Sequence, residues 1–217
     1  MLVLGLTGSI GMGKSTAVAM LRRMGLPVHD ADASVRRLIG PGGAAVGEIA
    51  KAFPGMVKDG AVDRRRLGDK VFKDPKARAR LEAILHPLVR RSSEAFLRRQ
   101  ARRRQGLVVL DIPLLFETGG EVLCDAVMVV SAPASVQAGR VLGRADMSEG
   151  KFRAIRAAQL SDAEKRRRAD FVISTGLSKA QTLRQLTAAV TLLRQGRWRP
   201  SRGKAARRRP PFWMRHA

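Results

Sequence analysis

The chain opens on an unbroken apolar run, residues 2–7, closed by Gly8. A short run without alternation, bounded by glycine, predicts a strand buried on both faces. From Lys14 the period changes: Val18, Leu21 and Met24 fall on one helical stripe, and Gly25 marks its stop. Residues 27–30, 107–111, 126–131 and 171–173 repeat the short apolar pattern and predict four more strands. Strands of this kind separated by helices predict an α/β fold, a five-stranded parallel sheet in three α/β/α layers. Ligands then gather at the carboxyl ends of the strands.

The long stretch between the second and third strands has almost no strand signal. Asp63 is placed to cap one helix, with Leu67, Val71 and Phe72 inward. Asp74-Pro75 opens another through Leu81, Ile84, Leu85, Leu88 and Val89, a pattern that His86-Pro87 interrupts. An insertion of this size is not a simple crossover and predicts a helical, substrate-facing subdomain. A second helical, Arg-rich stretch follows the fourth strand and predicts a lid. The expected division is one domain over 1–195, with its core in 1–32, 105–135 and 170–195, a helical substrate subdomain at 33–104 and a lid at 136–169. Residues 196–217 are expected to be a basic, disordered tail.

Composition narrows the class. The 217 residues carry 42 Lys+Arg against 18 Asp+Glu, a net charge of +24, and 45% apolar residues argue against a disordered chain. Such an excess attracts polyanions: nucleotides, nucleic acid or an anionic membrane surface. Between Arg194 and Ala217 there are nine basic and no acidic residues, with Trp198, Phe212 and Trp213 among them, which leaves RNA contact by the tail open. Cys124 is the only cysteine, excluding an internal disulfide and a multi-cysteine zinc site. The first apolar run lacks preceding positive charge and stops at Thr7, and no run approaches the roughly 20 residues of a membrane span. A cytoplasmic protein with no membrane partner is expected.

The chemistry begins at Gly8-Ser9-Ile10-Gly11-Met12-Gly13-Lys14-Ser15, which fits G-x-x-x-x-G-K-[ST] after a strand and before a helix. Glycines let the backbone wrap a phosphate, and a helix N-terminus aims N–H groups and a positive dipole at it. Lys14 reaches the β/γ-phosphates and the Ser15 hydroxyl ligates Mg²⁺, so Gly11, Met12, Gly13, Lys14, Ser15 and Thr16 are the expected ATP-binding residues. The guanine-specifying N-K-x-D pattern is missing, since the chain contains no Asn. A small phosphoryl-transferring kinase leads. Asp30-Ala31-Asp32 closes the second strand; in extended chain both carboxylates face one side, ready to hold Mg²⁺ or accept a proton, unless they cap the helix expected at 34–39. Asp111 ends the third strand in an hhhhD pattern and is a candidate for Mg²⁺ through water. Arg140, Arg144, Arg153 and Arg156 read as lid guanidiniums for the transferring phosphate, with a solvated basic face as the alternative. Lys165 to Arg168 reads as surface, and Cys124 as a buried apolar residue.

These residues resemble a family. The run Gly5 to Thr16, Asp30-Ala31-Asp32, Leu67 with Val71-Phe72, Leu85-His86-Pro87-Leu88, Pro113-Leu114-Leu115-Phe116-Glu117, Ala158-Gln159, Lys165 and Ala169-Asp170 occur in the order seen in dephospho-CoA kinases. The resemblance runs from residue 2 to about 195. It implies transfer of the ATP γ-phosphate to the 3′-hydroxyl of dephospho-CoA, the last step of coenzyme A biosynthesis, with Mg²⁺ as cofactor. It further implies Asp32 as the base and His86 and Arg90 facing the acceptor; Lys14, from the phosphate-loop motif, and Arg140, from the lid spacing, are the other expected catalytic residues. Leu115 would belong to core or wall the entry of the pantetheine chain. Two features depart from the pattern: Ser9 and Met12 in the phosphate loop, and Ser174-Thr175-Gly176 where the family carries Asp-Asn-x-Gly. The alternatives are a nucleoside or nucleotide kinase on the same scaffold, or an ATP-switched nucleic-acid-binding protein; against the latter, aromatics are 4% and Tyr is absent.

Overall fold

The structure, a computed structural model, describes residues 1–199; the aromatic positions Phe212 and Trp213 lie outside them. In chain order the elements are β1 (Leu2–Thr7), α1 (Lys14–Arg23), β2 (Val28–Asp30), α2 (Ala31–Ile39), α3 (Val46–Ala52), β3 (Val57–Lys58), β4 (Ala61–Val62), α4 (Arg64–Lys73) and α5 (Pro75–Arg102). There follow β5 (Leu107–Asp111), a 3₁₀ turn (Gly120–Leu123), β6 (Ala126–Ser131), α6 (Ala134–Leu142), α7 (Glu149–Ala157), α8 (Asp162–Arg168), β7 (Phe171–Ser174) and α9 (Lys179–Arg194). Among the described residues, 1–29 with 99–199 form one compact unit, and residues 30–98 another.

The five-stranded sheet has the order β2-β5-β1-β6-β7. β1 pairs parallel with β5 (Leu2 beside Leu107, Leu6 beside Asp111) and with β6 (Leu4 beside Ala126, Thr7 beside Val129), and β6 pairs parallel with β7. β1, β5 and β6 are buried almost throughout, so their apolar runs do not alternate with polar residues. Their side chains still alternate between faces. Leu4, Leu6, Val109, Met128 and Val130 pack with Ala17, Val18 and Leu21 of α1 and with Leu186, Ala189, Val190 and Leu193 of α9. Val127 and Val129 point the other way, to Leu115 and Phe116. Leu115 is fully buried there, so its side chain is core, which corrects the expectation that it lines a substrate entry. Gly5 has a steric reason: a Cβ at that position would lie 2.6 Å from Cys124 Sγ and 3.0 Å from a Leu115 methyl. Trp198, assigned from sequence to the arm, packs on this core, its ring centroid 6.1 Å from that of Phe171. Among the described residues no helix is long and apolar enough to cross a membrane.

Residues 30–98 build their own core from Ile39, Ala45, Ile49, Phe53, Val62, Leu67 and Ala77, with Leu81, Ile84, Leu85 and Leu88 of α5 against it. The predicted caps form: Asp63 Oδ1 accepts the N–H groups of Arg65 and Arg66, and Asp74 Oδ1 those of Lys76 and Ala77. Two features correct the sequence reading. β3 and β4 form a small hairpin, Val57 beside Val62, turned by Asp59 (φ 50°) and Gly60 (φ 73°). Two consecutive positive-φ residues, Asp-Gly, are the signature of a type I′ turn. And α5 continues through Pro87 without a break. A mid-helix proline costs roughly 3 kcal/mol, but the apolar stripe on both sides of it is anchored in one core, and tertiary packing decides helix persistence.

Candidate phosphate-binding site

The loop after β1 is shaped by donors that grip its carbonyl groups from outside. Gln137 Nε2 donates to Ile10 O at 2.7 Å, Arg140 Nη1 to Gly11 O at 3.4 Å, and Thr175 Oγ1 to Met12 O at 2.8 Å. In a trans peptide the N–H points opposite to the carbonyl it is bonded to. Fixing the Ile10 and Met12 carbonyls outward therefore turns the N–H groups of Gly11 and Gly13 inward, while Met12 N–H closes the loop on Ser9 O. Both glycines hold positive φ, 77° and 82°, and a Cβ on Gly13 would lie 2.9 Å from Thr175 Oγ1. α1 begins directly after Gly13 with no side-chain cap, so its first N–H groups are offered to a ligand. The result is a concave set of backbone donors suited to phosphate.

Lys14 opens α1, and its ammonium lies 2.6 Å from Asp111 Oδ1. Asp111 is buried at the carboxyl end of β5, in register with Leu6. The sequence reading made Asp111 a candidate for Mg²⁺ and missed its contact with the loop lysine, which the structure shows. Ser15 and Thr16 stand exposed on the same first turn of α1. The Ser15 hydroxyl and the Asp111 carboxylate are hard oxygen donors, the kind Mg²⁺ takes one or two of when phosphates and water complete its shell. Met12 presents backbone to the loop only: its side chain is buried and its sulfur accepts the Ala132 N–H.

Arg140 is exposed and bound at this rim, donating to Thr175 Oγ1 at 3.1 Å and to Thr175 O at 2.6 Å as well as to Gly11 O. Thr175 thus occupies the segment where the family pattern was broken, and there it joins β7 to the loop. Sequence reasoning missed Gln137 and Thr175. The spacing of Gln137 and Arg140, three apart on α6 and so on one face, was the available signal. Arg144 is exposed, Arg153 lies 4.0 Å from Glu149, and Arg156 sits over the Phe152 ring. Lys165 overturns the surface reading. It is fully buried and lies 2.9 Å from Glu117 Oε1.

In the unit of residues 30–98, Asp30 caps α2: its Oδ1 accepts Ala33 N–H at 2.8 Å, and Arg36 stands 3.8 Å from its other oxygen. The helix begins at Ala31, three residues earlier than expected, so the strand alternation that would turn both carboxylates one way does not operate. Asp32 stands exposed on the first helical turn, free of the capping role. His86 and Arg90 are exposed on successive turns of α5, Arg90 paired with Glu94 at 3.2 Å.

This loop, with its lysine, helix and gripped carbonyls, sits inside a chain that matches the model of "Dephospho-CoA kinase" over residues 2–180. The chain belongs to the dephospho-CoA kinase family. It is a kinase. A dephospho-CoA kinase of Paramagnetospirillum magneticum is 58% identical over 98% of this chain and 100% of its own length. One of Rhodospirillum rubrum is 54% identical over 94% and 97%. Among solved structures, TT1252 from Thermus thermophilus is 37% identical with a TM-score of 0.76, covering 88% of this chain and 96% of that one. The dephospho-CoA kinase from Campylobacter jejuni, 24% identical with a TM-score of 0.69 over 90% and 98%, shares the fold. The family match spans β1 to β7 and the unit of residues 30–98, and stops as α9 begins.

Proposed function

We propose that the chain transfers the γ-phosphoryl group of ATP to the 3′-hydroxyl of dephospho-CoA, giving CoA and ADP, in the cytoplasm and as the final step of coenzyme A biosynthesis. The observation that carries this reading is the phosphate loop of a dephospho-CoA kinase family member, its carbonyls fixed outward and Lys14 set at its mouth. The backbone N–H groups of Gly11, Gly13 and the first turn of α1 receive the phosphates, and Lys14 balances charge on the β- and γ-oxygens. Ser15 and Asp111 would hold Mg²⁺, which when bound would neutralise charge on the same oxygens. Asp32 accepts the proton of the 3′-hydroxyl as that oxygen bonds to the γ-phosphorus. The bond between γ-phosphorus and bridging oxygen breaks, and its electron pair leaves on ADP. Arg140, tethered through Thr175, adds positive charge at the loop, and His86 and Arg90 bind the acceptor. ATP and dephospho-CoA are the partners; the basic residues draw them in.

The test is transfer of γ-labelled ATP to a panel of acceptors. Label on the 3′ position of dephospho-CoA, with AMP and nucleosides poor acceptors, is the expected result; efficient labelling of a nucleotide instead sinks the substrate assignment. Asp32→Asn should bind ATP normally and lose kcat by about 10²–10⁴-fold, the worth of a general base. Near-normal kcat in that variant would remove Asp32 from its role.

A further inference from the structure

A fully buried lysine is costly: each ion taken from water loses several kcal/mol of hydration, and an apolar pair of equal volume often serves stability as well. Lys165 is such a residue, and its ammonium lies 2.9 Å from Glu117 Oε1. The same oxygen accepts the Leu160 N–H at 2.9 Å. The residue before Leu160 is Gln159, whose Oε1 accepts the Ile10 N–H of the phosphate loop at 3.1 Å. Ile10 is thereby held on both sides, its N–H by Gln159 and its carbonyl by Gln137. Two residues beyond Leu160, Asp162 accepts the Ser131 hydroxyl at 2.8 Å at the end of β6. The turn between α7 and α8 is pinned at three points, and one of them is an oxygen fixed by a buried charge.

We propose that Glu117, clamped by Lys165, is a positioning residue for the phosphate loop: it holds the Leu160 N–H, and so sets Gln159 against Ile10 and fixes the loop for the ATP phosphates. The inference rests on the kinase reading given above. Lys165 fixes the rotamer of Glu117, because a carboxylate that must meet an ammonium and an N–H with one oxygen has little freedom left. A pair kept only for stability would have no need to hold the turn that carries Gln159.

Two double variants separate positioning from plain stability. Glu117→Gln with Lys165→Met removes both charges but keeps an oxygen for Leu160; its KM for ATP should lie between that of the parent and that of the variant lacking the oxygen. Glu117→Leu with Lys165→Met removes that oxygen, and its KM for ATP should rise by about 3–10-fold, the scale of one net hydrogen bond, with KM for dephospho-CoA unchanged. Gln159→Ala should reproduce the rise, and adding it to the Glu117→Leu, Lys165→Met protein should change nothing further, since both act through one contact. Equal KM values in the two double variants, or additive effects with Gln159→Ala, would overturn the proposal. Glu117→Asp, which keeps the charge on a shorter arm, gives an independent reading by hydrogen exchange: faster exchange at the Ile10 and Leu160 amides is expected, and unchanged exchange at Ile10 refutes the link. A parent protein that binds ATP in a calorimetric titration but fails to phosphorylate dephospho-CoA would count against the substrate assignment alone, because the same titration, run on each variant beside the kinetics, reads ATP binding without an acceptor.

Discussion

Replacing Thr175 with valine keeps the shape of the side chain and removes only the hydroxyl. That hydroxyl donates to Met12 O at 2.8 Å, lies 3.4 Å from Ser131 O and accepts from Arg140 Nη1 at 3.1 Å. Thr175 is buried, so water does not readily replace it. Leaving the Met12 carbonyl without its donor costs about 1–3 kcal/mol. Arg140 keeps its bond to Thr175 O, so the loss is local to the loop. At roughly 2–4 °C per kcal/mol for a chain of this size, the melting temperature should fall by about 2–12 °C. The Gly13 N–H, whose direction the Met12 carbonyl sets, loses its aim, and KM for ATP should rise by about tenfold, equivalent to ~1.4 kcal/mol. Thr175→Ser is the control, retaining the hydroxyl. A coupled ADP-release assay across ATP concentrations, beside calorimetric melting, reads both quantities. If the valine and serine variants share one KM for ATP, the idea that gripped carbonyls shape the phosphate site is wrong.

Other outcomes follow from the same packing. Gly5→Ala should destabilise by about 1–3 kcal/mol, the usual cost of overpacking, because its methyl meets Cys124 Sγ and Leu115; Cys124→Gly in the same chain should recover part of the loss, and an undiminished urea midpoint for Gly5→Ala would contradict the contact. Burial, and next to it the carboxylates of Asp125, Glu121 and Asp170, push the Cys124 thiol well above its ordinary range. The folded protein should therefore resist iodoacetamide at pH 8 and react at once in denaturant, whereas rapid alkylation of the native form would place the thiol in a different environment. The sign for stability is set by the raised folded value: this thiol contributes no loss below its unfolded pKa of about 8.5, and stability declines as pH rises past it, a decline that Cys124→Ala should abolish.

How much of this was legible beforehand depended on how local the cause was. The strands were readable because burial on both faces writes itself as consecutive apolar residues, and the caps at Asp63 and Asp74 because a capping carboxylate and its N–H partners lie within three residues. The hairpin at Asp59-Gly60 was readable in principle, yet its two-residue strands are too short to raise a periodic signal. Pro87 was misread because local propensity argued for a break, while the deciding term, a shared core on both sides, is tertiary. For Asp30 the capping alternative holds; the alternation argument does not apply, because the chain changes from strand to helix between Asp30 and Asp32 and alternation needs one regular element. The loop's outer contacts were not legible. Gln137 and Thr175 reach Ile10 and Met12 across 127 and 163 residues of chain, and polar residues with such partners look like any others. Lys165, amid Arg166, Arg167 and Arg168, has the composition of a solvated helix end; only its partner 48 positions earlier, Glu117, distinguishes it.

That separation along the chain bears on biosynthesis. The phosphate-loop sequence leaves the ribosome first, but the hydroxyl that orients Met12 belongs to residue 175, and the amides that hold Ile10 to residues 137 and 159. At elongation rates of about 5–20 residues per second, a nascent polypeptide spends on the order of ten seconds or more with the motif translated but unshaped. Nucleotide affinity should consequently switch on late, as the seventh strand emerges, making ATP binding by stalled translation products a reporter of when the sheet is completed.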